Sequence, residues 1–264
     1  MGLVGLFFAV WCGYWLPLAL PLSAWLSWSP FQTATLRQKL PLLLTLYAAA
    51  PLALLTTEAI ADRKIIYGLN QPDVLISAGL GFLVGLCGLA LLFWAQLKLA
   101  WLRRGEDLIG VRRVVEAVFL GTILAVGVGL VEEMIFRVFL ISQLARSLSF
   151  GLAAAISSSI FALLHLVWDW QNTKFQLPGL WIMGMVLAFA YRVNGFSIGL
   201  PWGLHAGWIL GMALAEMQGT LTPTAQVPIW VTGQAGQPLA GVGALLFLLG
   251  TAGLLWITPW QLIL

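Results

Sequence analysis

Apolar residues run along this chain in long blocks, with polar residues gathered between the blocks and not alternating within them. Polar breaks at 29–39, 61–73, 101–113, 146–149, 169–177, 192–197 and 216–237 separate eight apolar segments. These lie near 3–27, 40–60, 74–100, 114–145, 150–168, 178–192, 198–215 and 238–262. A helix of roughly 20 apolar residues spans a bilayer. The pattern therefore predicts an all-α, polytopic membrane protein with about eight transmembrane helices enclosing a polar intramembrane site.

The fourth segment breaks the pattern. Val114 to Ala145 is 32 residues, about 48 Å as one helix against a ~30 Å hydrocarbon core. It must tilt, protrude or break, and Gly127 and Gly129 mark the expected break. The chain "NGFSIGLPWG", with Gly195, Gly199, Pro201 and Gly203, is expected to enter the membrane as irregular backbone beside a cavity. "TPTAQVPIWVTGQAGQP", 222 to 238, reads as the longest uncharged loop. The opening "MGLVGLFFAVWCGYWLPLAL" lacks a basic flank and a small-residue cleavage site, so it reads as a retained first span.

Composition adds the class. Of 264 residues, 61% are hydrophobic and 9% charged, with a mean hydropathy of +0.95. A soluble domain carries about a quarter charged residues, so localisation is expected to be integral membrane, multi-pass, with the lipid bilayer as the first partner. The net charge of +3 comes without a Lys/Arg-rich run, which excludes nucleic acid as a partner class. Eight basic residues (Arg37, Lys39, Lys98, Arg103, Arg104, Arg112, Arg113, Lys174) fall on one side and four (Arg63, Lys64, Arg146, Arg192) on the other. By the positive-inside rule the first side is cytoplasmic and both termini lie opposite. Cys12 and Cys87 have no metal-ligand or C-x-x-C spacing and read as small core hydrophobes. Gly79, Gly81, Gly85 and Gly88 suit close helix packing, and Trp25, Trp28, Trp101 and Trp168 suit interface anchoring. Glu58, Asp62, Arg63 and Lys64 read as a solvated boundary, and Glu116 as facing headgroups or pairing with Arg112 or Arg113.

Against that apolar background, "GVGLVEEMIFRVFL" is conspicuous. Charged groups inside a bilayer are costly and mark function by default. Glu133 and Arg137 are four apart on one helical face, so they can neutralise each other as a structural ion pair. Glu132 points ~100° away and meets Phe136 at i+4, so it is free to act as a general base. Both histidines of the chain lie in predicted spans. The short "RSLS" turn makes segments four and five an antiparallel hairpin. Glu132 and His165 are then equally far from its tip, about 25 Å along each helix. His205, in "IGLPWGLHAGWIL", is the third candidate, expected at shallower depth.

A carboxylate with two imidazoles suits water activation and oxyanion stabilisation. It also matches the His-His-Glu donor set of catalytic zinc sites, although no H-E-x-x-H is present. On the residues alone a zinc ion stays open, with Glu132, His165 and His205 as its ligands. Ser157, Ser158 and Ser159 lack a G-x-S-x-G elbow and are assigned to helix packing.

These pieces, in this order, resemble the CPBP family: the CAAX prenyl endopeptidases and bacteriocin-processing intramembrane proteases, also called the Abi family. The family pattern is E-E-x-x-x-R, then F-x-x-x-H, then H-x-x-x-Asn or Asp. Here it corresponds to "EEMIFR" (Glu132, Glu133, Arg137), "FALLH" (Phe161 to His165) and "HAGWI" from His205. The resemblance implies an intramembrane endopeptidase in which Glu132 activates water with help from His165, while His205 stabilises the oxyanion. Glu133, Arg137 and Phe161 would support them, and the resemblance implies no metal or other cofactor, with zinc as the alternative. The implied substrate is a lipidated peptide or a membrane protein. The implied division is an N-terminal three-span region (1–113), a CPBP-like catalytic core (114–215), and a loop with a C-terminal span (216–264).

Ile209 departs from the pattern, standing where the family has Asn or Asp; Asn194 is a candidate substitute. A second reading follows from that departure: a catalytically inactive member serving as an assembly or immunity partner in a larger membrane complex. A proton-coupled transporter is a third class, but no inverted repeat of paired broken helices is visible.

Overall fold

The structure is a computed structural model and describes residues 2–62, 64, 71–105, 110–217, 221–224, 226–233 and 237–260. Its long helices are α1 (Gly2–Trp25), α2 (Leu36–Ala61), α3 (Val74–Lys98), α4 (Val111–Leu144), α5 (Phe150–His165), α6 (Leu177–Val193), α7 (Gly199–Met217) and α8 (Val242–Ile257). Five helical segments are long and apolar enough to cross a membrane: α1 to α4, and Trp170–Val193, which comprises two short helical turns and α6. The eight apolar segments are thus all helical, but three are not spans by length and composition. α5 and α8 have 16 residues each, about 24 Å, and α7 is diluted by His205, Glu216 and its glycines. Among the described residues the protein is all-α apart from one two-stranded antiparallel ribbon, β1 (Leu102–Arg104) with β2 (Leu221–Pro223). The sequence pattern gave no sign of it. It makes part of the 222–238 loop ordered, as do a short helix at Ile229–Thr232 and a 3-10 turn at Pro238–Ala240.

Backbone contact between α3 and α7 sets the frame. Gly199, Gly203, Gly207 and Gly211 recur every four residues and lie along one face of α7. A Cβ on Gly203 would stand 1.9 Å from Ala78 O, and one on Gly207 2.5 Å from Phe82 O. From the other helix, a Cβ on Gly81 would meet Leu200 O at 2.5 Å, and one on Gly85 would meet Leu204 O at 2.6 Å. Without a hydrophobic driving force between helices in lipid, such close approach is what holds them. The chain at Asn194–Ile198 is irregular, with Gly195 and Phe196 at positive φ. Irregular backbone was expected through Gly203, but Gly199 to Gly203 already form the first turns of α7. Their glycines serve packing there.

α4 does not break at Gly127 or Gly129. It is α-helical through Glu133, widens to a π-helix over Met134–Ile141 and closes with a final α-turn. Loosened ladders leave carbonyls in need of donors. Ser157 Oγ of α5 donates to Phe136 O at 2.7 Å, and Ser142 Oγ donates to Phe139 O at 2.9 Å and also to Val138 O. Gly129 instead lets α7 approach: a Cβ there would lie 3.4 Å from Ala206 N. The hairpin between α4 and α5 is present, with Ser149 capping α5. Ser158 lies under Gly184 of α6, and Ser159 accepts the Trp181 indole N–H at 3.2 Å.

Loops on the same side are tied together. Phe31 N donates to Val167 O, Ala34 N to Trp168 O, and Thr33 Oγ1 to Asp169, while Trp28 packs on Trp168. On the other side, Arg192 lies over the Phe150 ring. Glu116 pairs with Arg112 at 2.7 Å. Cys12 and Cys87 are free and exposed, contrary to the expected core placement, and Cys12 lines the cavity between the helices. Arg63, counted above for orientation, lies outside the described residues.

The glycine contacts give a matched test. Gly203→Ala forces a methyl into the Ala78 and Phe82 backbone and should lower stability by about 1–3 kcal/mol or more. Gly127→Ala meets open space and should stay within about 1 kcal/mol of the parent, on the stabilising side. Thermal unfolding of the detergent-purified variants checks both.

Candidate active site

Four elements bring the polar residues together. α4 carries Glu132 at its last α-turn and Arg137 inside the π-helix, α5 carries Phe161 and His165 on its last turns, α7 carries His205, and α2 contributes Tyr47. Arg137 is 1% exposed and Glu133 0%, so neither charge can be left to solvent. Arg137 Nη1 donates to Glu133 Oε1 at 2.9 Å, the i,i+4 pair expected from spacing, and Nη2 reaches Gly184 O at 3.3 Å. The same Glu133 oxygen accepts from His205 Nδ1 at 2.8 Å. Glu133 Oε2 is buried with no partner among the described residues.

Because Glu133 Oε1 is an acceptor, His205 holds its proton on Nδ1 and presents Nε2 to the other acid. Nε2 stands 3.5 Å from Glu132 Oε2. His205 therefore lies between the two carboxylates, not shallower than them. The α3–α7 contact and the early start of α7 put it there. Glu132 is not unpartnered either: the Tyr47 phenol donates to its Oε1. That bond arrives from a helix 85 residues away in sequence, so no local spacing could announce it.

His165 is on the same cavity as Glu132, as matched depth in the hairpin required. Its Nδ1 is 2.8 Å from Phe161 O, a carbonyl that can only accept. The proton is thus on Nδ1 and the Nε2 lone pair is free. Phe161 organises the cluster with its ring. It stands edge-on to His165 (centroids 4.6 Å), to His205 (5.9 Å) and to Phe136 (5.2 Å), with the Arg137 guanidinium 5.1 Å from its centroid.

The cavity is about 610 Å³ and mostly apolar, with walls from α1, α2, α3, α5, α7 and α8 as well as α4. Glu132, His165 and His205 line it; Glu133 and Arg137 do not. Tyr47, Lys39, Gln176 and Glu216 also line it, and reading the sequence assigned none of them to the site. Lys39 and Glu216 stand beside predicted loops, where charge is ordinary, and Tyr47 is one aromatic among many. Ile209 is on the wall, so the position that departs from the family pattern faces the cavity. Asn194 does not take its place: it is buried in the turn after α6, where Nδ2 donates to Ser197 O.

As placed, these side chains do not make a metal-ligand set. Among the described residues no three of His, Cys, Asp and Glu converge closely enough to hold an ion.

Residues 114–210 match the family model described as Rce1-like: Type II CAAX prenyl endopeptidase Rce1-like. That segment of the chain is similar to the Rce1-like CAAX proteases. The matched segment holds both acids, Arg137, Phe161, both histidines and Ile209; it does not reach Tyr47. No curated protein and no solved structure matches the chain.

Removing one member of a buried ion pair strands the other, at about 3–5 kcal/mol. Arg137→Met should therefore destabilise the protein by that amount. Adding Glu133→Gln, which removes the stranded charge, should recover a large part of the loss. Unfolding midpoints of the single and double variants decide it.

Proposed function

We propose that this protein is an intramembrane endopeptidase that hydrolyses a peptide bond of a lipidated or membrane-embedded substrate with water activated by Glu132. The observation that carries this reading is the position of Glu132: a nearly buried carboxylate at the wall of an apolar cavity, with imidazoles of two other helices on the same cavity. In this reading all eight helices lie in the membrane, with the shorter α5, α7 and α8 buried around the site. The side bearing Arg37, Lys39, Arg103 and Arg104 is cytoplasmic.

Two carboxylates face one guanidinium in a dry site, which leaves one negative charge. His205 Nε2, 3.5 Å from Glu132 Oε2, faces that charge. Catalysis begins when Glu132 takes a proton from a cavity water as that water attacks the scissile carbonyl carbon. A C–O bond forms and the carbonyl π-electrons move to oxygen. His165, with its Nε2 lone pair free, orients the water. His205 presents its proton to the developing oxyanion, and the Glu133–Arg137 pair holds its ring in place. Collapse re-forms the carbonyl, the C–N bond breaks, and the amine leaves with the proton held by Glu132. No step is routed through a metal ion.

A second reading is favoured by one observation, Ile209 on the cavity wall where the family pattern has a hydrogen-bonding side chain. In it the protein binds a membrane partner in the cavity without cleaving it.

Glu132→Gln keeps size and hydrogen bonding but removes the base. Wild-type protein in liposomes should cleave a farnesylated peptide ending in Cys-aliphatic-aliphatic-X, and the variant should lose cleavage while still capturing the peptide. Undiminished function of the variant would sink the endopeptidase reading in favour of the partner. Separately, cleavage should survive 1,10-phenanthroline, and purified protein should carry no stoichiometric zinc. Inhibition by the chelator with recovery on adding zinc would instead establish a metal enzyme.

A further inference from the structure

A tetrahedral intermediate is held by hydrogen-bond donors aimed at its oxygen; His205 is one in the reading above, and Ile209 supplies no second. Asn194 is committed elsewhere. Of the donors on the cavity wall, Lys39 stands eight residues before Tyr47 on α2, about 12 Å along the helix. Gln176 and Glu216 lie at the loop ends of their segments. The Trp208 indole N–H is buried without a partner among the described residues, but that atom is sealed from the cavity space. Tyr47 is different. Its phenol stands on the cavity wall within hydrogen-bond distance of the acid that activates water.

Its placement is built in. Trp11 Nε1 donates to Leu46 O at 3.0 Å and Trp15 Nε1 to Thr45 Oγ1 at 3.3 Å, so α1 clamps α2 at the two residues before Tyr47. A phenol held there has one acceptor in the resting state, Glu132 Oε1. When Glu132 takes the proton of the attacking water, its oxygen becomes a poor acceptor. A negative charge appears at the same moment on the carbonyl oxygen of the peptide that the water attacks.

We propose that Tyr47 is the second oxyanion donor of this site, beside His205, a catalytic residue from outside the family-matched segment that fills the place left by Ile209. Its O–H holds the carboxylate before the reaction and turns to the oxyanion as the C–O bond forms. The proton stays on the phenol throughout: Glu132 receives the water proton and the carbonyl π-pair becomes the oxyanion; when the C–N bond breaks the pair re-forms the carbonyl and the proton held by Glu132 leaves on the amine. Because the new bond exists only in the transition state, it lowers the barrier without tightening substrate binding. The inference rests on the endopeptidase reading and extends it.

Three probes test it in liposomes: the farnesylated peptide, its phosphinate analogue as an anionic tetrahedral mimic, and its trans-alkene isostere as a neutral planar one. The wild type should bind the phosphinate more tightly than the alkene. Tyr47→Phe should lose that preference and kcat by about 10²–10³-fold, with KM little changed. Tyr47→Phe combined with Ile209→Asn should recover at least about tenfold of both. Retention of the phosphinate preference by Tyr47→Phe overturns the proposal. So does equal weakening of both analogues, which would make Tyr47 only a positioner of Glu132. A wild type that cleaves nothing, yet shows a Tyr47-dependent phosphinate preference, supports the donor while sinking turnover. A wild type with neither overturns both.

Discussion

Everything at the site depends on the satisfaction of one buried guanidinium. Arg137 lies in an apolar interior where an unpaired charge costs several kcal/mol, and its needs are met from three elements. Glu133 neutralises it along α4, the Gly184 carbonyl accepts from it on α6, and the Phe161 ring of α5 covers it. The Glu133 oxygen that accepts from Arg137 also fixes the tautomer of His205. A structural ion pair thus determines which imidazole nitrogen faces Glu132. The two acids of the doublet are adjacent in sequence and unlike in duty: one is consumed by the frame, the other is turned to the cavity.

The second constraint is steric. α3 and α7 touch backbone to backbone, at a separation that admits no Cβ at Gly203, Gly207 or Gly81. That contact sets the rotation and depth of α7, and hence of His205. The π-helical stretch of α4 works with it. Hydroxyls of Ser142 and Ser157 satisfy the loosened carbonyls, and Arg137 sits inside the widened turns. The site is therefore held by close packing and by hydrogen bonds that lipid cannot replace.

How far this could be read in advance follows from the range of each interaction. Apolar block length reveals helices, so all eight segments are present as helices and the α4–α5 hairpin stands. An i,i+4 spacing reveals Glu133–Arg137, and equal distance from one turn puts Glu132 and His165 on one cavity. Beyond that, composition misled where geometry decides. The glycines of "NGFSIGLPWG" have the signature of loose chain, and only Gly195 among them is used that way; Gly199 and Gly203 begin a four-residue repeat that continues to Gly211. Gly127 and Gly129 suggested a break, but the ladder loosens a turn later, where no glycine stands. Tyr47 was illegible because nothing local distinguishes a phenol that meets an acid from one that anchors at an interface. Cys87 is exposed because, in a bilayer, the outside is apolar too.

The small ribbon between β1 and β2 carries a topological consequence. Arg103 and Thr222 are hydrogen-bonded neighbours in it, so the chain leaves one water-facing surface after α3 and returns to that surface after α7. In the eight-span reading the path between then traverses the bilayer an even number of times, through α4, α5, α6 and α7. The bonds from Phe31 and Ala34 to Val167 and Trp168 close a second circuit around α2 to α5 and impose the same parity. Two overlapping closed paths bind the short helices to the long ones: neither α5 nor α7 can change its number of crossings alone without tearing a hydrogen-bonded seam at the surface.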